Sequence, residues 1–254
     1  MKKYAVIDIG SNTVRMVVYA VEENDTFHAL FSKKYTLGLA GYVQDGVMSQ
    51  EGIHRLCGVL IECRMLLSQF EMERSFVFAT ASLRNIQNTR EAVDQIFLMT
   101  GFSVDVISGQ AEAYLDYYGV MVEAPLENGL LFDIGGGSTE VVVFDQGQPV
   151  QSASFRMGSL SLYRSYVKKI LPGDGALKRM KEAIEETVEE KALLDFSRRT
   201  HLICVGGTAR AALKLCKKVY HLTPGSRTIT MEQLEGLCQT LETGDQNAID
   251  LLLR

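Results

Sequence analysis

The chain has 254 residues, 46% hydrophobic and 22% charged, with a formal net charge of −5; this is ordinary globular usage and sets aside disordered and fibrous classes. No apolar run reaches the ~18 to 20 residues of a membrane span, and the start is strand-like rather than a basic-then-apolar secretion signal, so a soluble, cytoplasmic protein with no membrane partner is expected. The acidic balance argues against a surface that tracks nucleic-acid polymers.

Strand-like runs at 4–9, 14–21 and 27–36 are rich in β-branched and aromatic residues with turn residues between them, so the chain opens as an antiparallel meander. A Gly-rich loop follows at 37–48. Ser49 then caps a predicted helix whose apolar positions Ile53, Leu56, Leu60, Cys63, Leu67 and Phe70 recur at three and four. RSFVFATA (74–81) reads as a short buried strand leading into a helix to about 99. VDVI (104–107) is a further strand, and Ser108-Gly109 opens a helix through Tyr118.

The pattern restarts at Gly129, with strand, glycine turn, strand (139–145), a Gly147 turn, strand (149–156) and helix from about 159. A domain boundary beside Pro125 therefore gives units 1–124 and 125–254. Within the second, 176–196 sets Leu177, Met180, Ile184, Val188 and Leu193 on one helical stripe. HLICVGGTARAALKLC (201–216) reads as strand, turn and helix, and the apolar close NAIDLLLR (247–254) looks helical but uncapped, leaving open whether the fold continues past Arg254.

Five cysteines, an odd number without a CxxC pair, lie in apolar patterns and read as reduced core residues. The four histidines form no HExxH pattern, so no zinc site is expected. The basic pairs Lys168-Lys169, Arg198-Arg199 and Lys217-Lys218 read as solvated helix faces or ends.

LLFDIGGGSTEVVVFD (130–145) repeats, without a gap, the opening YAVIDIGSNTVRMVVYAV (4–21). Asp8 falls on Asp133, Gly10 on Gly135 and Arg15 on Glu140. Strand, aspartate, small residues and strand make a hairpin whose tip exposes backbone N–H groups, a nest suited to phosphate oxygens. An aspartate at such a strand end can hold Mg²⁺ through water. Neither a GxxxxGK[ST] loop nor a dinucleotide fingerprint fits, because these glycines lead into strands. A single such hairpin is equally well an ordinary Asp-Gly turn; two in register suggest two halves addressing one phosphate.

Taken together, IDIGSNTVRMVV, ATASLRN, VISGQAEAYLDYYGV, DIGGGSTEV and VGGTARA, in this order over roughly 4–215, resemble the exopolyphosphatase and guanosine pentaphosphate phosphohydrolase family of the actin-like ATPase superfamily. That resemblance implies an α/β fold of two ribonuclease H-like domains with a cleft between them. It implies that Glu112 is the general base for the attacking water, that Asp133 and Glu140 hold Mg²⁺ and its water network, and that Asp8 is the symmetric candidate. Arg84 corresponds to the phosphate-gripping arginine; Ser11, Asn12, Gly136, Gly137, Ser138, Gly206, Gly207 and Thr208 supply neutral donors. Read without the resemblance, Glu112 complements a helix dipole and Glu140 sits on a solvent-facing edge. Arg15 is either a second anion contact or a bridge between the hairpins.

Two departures stand out. Ala111 precedes Glu112 where many relatives carry a pair of acids, and nothing after residue 215 resembles the carboxy-terminal helical domain of the long members. The expected activity is Mg²⁺-dependent release of orthophosphate from polyphosphate. Guanosine pentaphosphate or a nucleoside triphosphate is the alternative substrate, and a non-catalytic protein that binds polyphosphate or alarmones is the alternative class. A homodimer is an open expectation.

Overall fold

An apolar residue at every second position decides the first strand. In β1 (Lys2–Ile9) Ala5, Ile7 and Ile9 are fully buried, while Tyr4, Val6 and Asp8 between them keep part of their surface. This computed structural model describes residues 1–24, 26–168, 170, 172–189, 194, 199, 201–242 and 250.

β1 pairs antiparallel with β2 (Thr13–Val21), which pairs antiparallel with β3 (Phe27–Thr36), as the opening meander requires. The loop that follows holds a 3-10 turn (Leu39–Tyr42) and a small hairpin of β4 (Val43–Gln44) and β5 (Val47–Met48). Helix α1 (Gln50–Leu67) begins where Ser49 accepts a hydrogen bond from the Gly52 N–H. Its stripe Ile53, Leu56, Leu60, Cys63 and Leu67 is buried in the same cluster as Ala5, Ile7 and Ile9; Phe70 lies beyond the helix end.

β6 (Arg74–Ala79) runs parallel to β1. The helix expected to run unbroken from there to about 99 is instead α2 (Ala81–Arg84) and α3 (Thr89–Thr100). The interruption is held by the β4–β5 hairpin. Asn88 accepts from the Met48 N–H at 2.9 Å and donates to the Met48 carbonyl at 3.0 Å, while the Gln87 N–H donates to the Gly46 carbonyl at 2.7 Å. β7 (Asp105–Val106) adds parallel to β6, giving a five-stranded sheet in the order β3-β2-β1-β6-β7.

Helix α4 (Gly109–Glu123) leads to the second set of elements. β8 (Gly129–Ile134), β9 (Thr139–Asp145) and β10 (Gln148–Phe155) form a second antiparallel meander. α5 (Ser159–Tyr166) and α6 (Asp174–Glu189) follow; then β11 (Leu202–Val205) joins parallel to β8, ahead of α7 (Gly206–Val219) and α8 (Met231–Glu242). The sheet order is β10-β9-β8-β11. Each sheet thus has three antiparallel strands and then a parallel one beside the first, the ribonuclease H-like α/β arrangement. Every residue of β9 from Thr139 to Phe144 is buried, which accounts for its unbroken apolar run.

Contacts divide the chain into two compact units, Met1–Leu115 with Gly136–Ser138, and Asp116–Gly135 with Thr139–Arg254. The division falls inside α4, and the boundary read from Pro125 lies just past that helix's last residue. On α6 the stripe residues Leu177, Met180, Ile184 and Val188 are half-buried, none fully; Leu193 and all of the closing NAIDLLLR except Asp250 lie outside the described residues. Cys57, Cys63 and Cys216 are buried as expected, but Cys204 and Cys238 are exposed. For Cys204 the reason is its place on β11, the edge strand of its sheet. Among the described residues no helix is long and apolar enough to cross a membrane.

In the second unit Tyr117 is 1% exposed and packs on Phe144 with ring centroids 5.5 Å apart, and its buried hydroxyl has no hydrogen-bond partner. Burial pushes its phenol above the usual 10.0, so the fold holds the neutral form. Stability from this group is complete below about pH 10 and is lost as the pH rises through the folded-state value. Tyr117→Phe is expected to match or exceed the parent in urea denaturation at neutral pH, by up to ~1 to 3 kcal/mol. It should also lose less stability in alkali; a variant clearly weaker at neutral pH contradicts the assignment.

Candidate active site

The two glycine turns have the same register. Ile9 pairs with Val14 across Gly10–Thr13, and Ile134 pairs with Thr139 across Gly135–Ser138, so both turns hold four residues. One position further from each tip, Asp8 lies directly opposite Arg15, and Asp133 directly opposite Glu140. Directly opposed side chains share a face of the sheet. The gapless repeat in the sequence is therefore a repeat of geometry.

In the first unit the turn is braced from behind. The Gly10 N–H donates to the Thr13 carbonyl at 3.0 Å, the Asn12 carbonyl accepts from the N–H groups of Leu37 and Gly38, and the Ser11 carbonyl accepts from Ala40. Ser11 is 9% exposed. The residues Gly136–Ser138, grouped by contacts with this unit, explain their composition: a Cβ on Gly137 would lie 2.5 Å from Ser11 Oγ and 3.3 Å from Ala81 Cβ. A side chain there would push the Ser11 hydroxyl from its place.

Arg84 ends α2 and Glu112 sits in the first turn of α4. Their side chains meet at 2.7 Å between Arg84 Nη1 and Glu112 Oε2, both mostly buried, and the same Nη1 donates to the Ile107 carbonyl at 3.1 Å. Ser108 prepares the helix: its Oγ accepts from the Ala111 N–H at 3.1 Å and its carbonyl from the Glu112 N–H at 2.9 Å. Ala111 thus holds the third helical position, where an acid would complete a capping box. Glu112, one residue on, is the carboxylate that meets Arg84.

The second unit holds the other acids. Glu140 is 1% exposed and accepts a hydrogen bond from Ser154 Oγ at 2.8 Å; the solvent-facing edge position is thereby corrected, because β9 is central and covered on both faces. Ser154, Glu140, Asp133 and Val205 form one row across β10, β9, β8 and β11. Gly206 follows with φ +83°, and a Cβ there would collide with Asp133 Oδ1. The turn expected at Gly206-Gly207-Thr208 is instead the first turn of α7, which follows β11 directly and lies against the Asp133 carboxylate. The carbonyl of Gly135 is fixed by the start of α5, accepting from the Ser159 N–H at 2.9 Å and Oγ at 3.1 Å.

Sequence reasoning missed Ser154, and it put Ser108 at the start of the helix without naming its side chain as the cap. Counting the β9–β10 register back from the Gly147 turn puts Ala153, not Ser154, opposite Glu140, because the pairing shifts by one between Pro149 and Gln151; Ser108 three residues before Ala111 is a plain N-cap signal. Among the described residues no three His, Cys, Asp or Glu side chains form a ready-made metal cage. The facing pair Asp133 and Glu140 fits Mg²⁺, which uses one or two carboxylates plus waters and substrate phosphates. Two acids opposed on neighbouring strands also concentrate negative charge that a cation offsets.

Two ribonuclease H-like units, each with an acid beside a four-residue turn, place the chain in the actin-like ATPase fold class. The chain belongs to the Ppx/GppA phosphatase family, whose signature matches residues 17–251. It is 30% identical over 248 residues to a putative exopolyphosphatase of Haemophilus influenzae, spanning 95% of this chain and 75% of that one. It is 31% identical over 216 residues to a guanosine-5'-triphosphate,3'-diphosphate pyrophosphatase of Photobacterium profundum, spanning 82% of this chain and 42% of that one. Among solved structures, an exopolyphosphatase from Cytophaga hutchinsonii matches with a TM-score of 0.79 at 25% identity, over 91% of this chain and 74% of that one.

Gly206→Ala forces both a positive φ and a Cβ into the Asp133 carboxylate. It is expected to cost on the order of 1 to 3 kcal/mol or more in urea denaturation, whereas Gly147→Ala, with φ +67° but open space around it, should cost less. Equal losses for the two would show that the Asp133 contact contributes nothing.

Proposed function

We propose that this phosphatase hydrolyses the terminal phosphoanhydride of inorganic polyphosphate with Mg²⁺, releasing orthophosphate. The observation that carries the reading is the 2.7 Å contact between Arg84 and Glu112 at the start of α4. It holds a carboxylate in one orientation on a rigid element, as a general base requires.

In this reading Glu112 accepts a proton from water as the water oxygen bonds to the terminal phosphorus. The bridging P–O bond breaks, one orthophosphate leaves, and the shortened chain takes the leaving oxygen. Arg84 positions Glu112 through Nη1 while its planar fork suits terminal phosphate oxygens. The amides of the turns at Ser11, Asn12, Gly136, Gly137 and Ser138, with Gly207 and Thr208, supply donors that need no reorganisation. Asp133 and Glu140, with Asp8 as their counterpart, would hold Mg²⁺, which offsets charge on the leaving oxygen when bound. The half-buried Ser154 hydroxyl keeps one Glu140 oxygen oriented.

A second reading, the same chemistry on guanosine pentaphosphate, is supported by the Photobacterium relative, which is named for that class of substrate. A purely binding protein is disfavoured because Ala111 removes only the capping-box acid and leaves the Arg84–Glu112 pair in place.

Phosphate release from long polyphosphate, tripolyphosphate, guanosine pentaphosphate and ATP, measured on one preparation with and without Mg²⁺, ranks the substrates. Glu112→Gln is expected to lower turnover on the best of them by about 10²-fold or more with little change in melting temperature. Full turnover in that variant would remove Glu112 from the chemistry.

A further inference from the structure

Helix α7 is the most basic element in an acidic chain. Its fourteen residues, Gly206–Val219, carry Arg210, Lys214, Lys217 and Lys218 and no acid, while the whole protein has a net charge of −5. Arg210, Lys214 and Lys218 recur every fourth residue, so they lie on one side of the helix. Cys216, fully buried, marks the opposite side, where its Sγ lies 3.9 Å from the Gln233 carbonyl of α8. Arg210 and Lys214 therefore face away from the packed side, and Lys218, half-buried, continues their stripe.

Ordinary causes explain only part of this. Lys217 donates to the Pro224 carbonyl at 2.6 Å, and Lys218 in the last turn complements the helix dipole. Arg210 and Lys214 stand higher in the helix, where the dipole gives a cation no help, and both are exposed. Among the described residues neither they nor Lys218 have an ion pair. The helix starts at the Gly206-Gly207-Thr208 turn seated on Asp133, so the stripe begins one turn beyond a phosphate-binding candidate and runs away from it.

We propose that Arg210, Lys214 and Lys218 form a track for the distal phosphates of a long polyphosphate chain and so set chain-length preference. This rests on the reading of polyphosphate as substrate. Each four-residue step rises about 6 Å, and Lys218 stands roughly 16 Å along the axis from Gly207, beyond the reach of a three-phosphate chain. Three cations spaced along a polyanion act mainly by releasing its condensed counterions, so the track strengthens binding most at low salt.

The test is the triple substitution Arg210→Gln, Lys214→Gln, Lys218→Gln in the full chain, assayed on long polyphosphate and on tripolyphosphate across a range of salt concentrations. The track predicts a KM for long chains raised about 10-fold or more and a salt dependence shallower by roughly 2 in log–log slope. Values for tripolyphosphate should change several-fold less, since only Arg210, roughly 5 Å along the axis from Gly207, lies within its reach; turnover on it also shows that the variant folds. Unchanged KM for long chains, or an equal loss on both substrates, overturns the track. If the parent releases phosphate from neither substrate, the functional reading has failed. Direct binding of long polyphosphate then decides the track separately: retention by the parent and loss in the triple variant supports it. Equal retention of long polyphosphate by the parent and the triple variant overturns it.

Discussion

The length of the glycine turn is the constraint from which the candidate site follows. A turn of four residues between paired strands fixes the register, and the register decides which residues stand opposite each other one step from the tip. Adding or removing one residue would send the acid to the other face of the sheet. Asp8 and Asp133 keep their places because both turns have the same length, despite Gly-Ser-Asn-Thr in one and Gly-Gly-Gly-Ser in the other. The remaining positions of the turns answer to different neighbours. Asn12 and Ser11 give their carbonyls to the segment 37–40, and Gly137 leaves room for Ser11 Oγ and Ala81.

The helices act on the acids in two different ways. α4 carries Glu112 in its first turn, where a Ser108 cap fixes the helix start and Arg84 fixes the side chain. α7 instead approaches an acid it does not carry, and Gly206 at φ +83° makes the close approach to Asp133 possible. Glu140 has a third form of support, a hydroxyl on the adjacent strand. A buried carboxylate in an apolar strand is costly unless its oxygens are engaged. The sequence VVVF after Glu140 shows that the burial itself comes from the strand's central position.

Most of the strand order was legible because it rests on period-two patterning and turn residues close in sequence. Asp8 and Arg15, seven positions apart around one turn, could be paired on paper. What could not be read were contacts that depend on distant segments. The break at 85–88 exists because Asn88 and Gln87 bond to a hairpin some forty residues earlier, and no local propensity records that. Arg84 and Glu112 were each identified through motif resemblance, but their pairing across 28 residues depends on the α2 and α4 ends coming together. Ser154 was hidden for a simpler reason: its role needs the register of the β9–β10 pair, which shifts near Pro149 and Gln151.

The exchange of Arg15 for Glu140 at matching positions follows from what flanks each strand. In the first sheet the row through Asp8 reads Lys34, Arg15, Asp8, Phe78; in the second it reads Ser154, Glu140, Asp133, Val205. Arg15 is exposed, so its charge stays hydrated beside Lys34, and Asp8 opposite gives it a counter-charge. Glu140 is 1% exposed, and the five N–H donors of a buried arginine there would need more acceptors than the Asp133 carboxylate opposite and the Ser154 hydroxyl supply. A carboxylate needs only donors, and a serine supplies one. Burial therefore selects the acid in the second hairpin and permits the cation in the first, so the same backbone repeat presents two acids in one unit and an acid–base pair in the other.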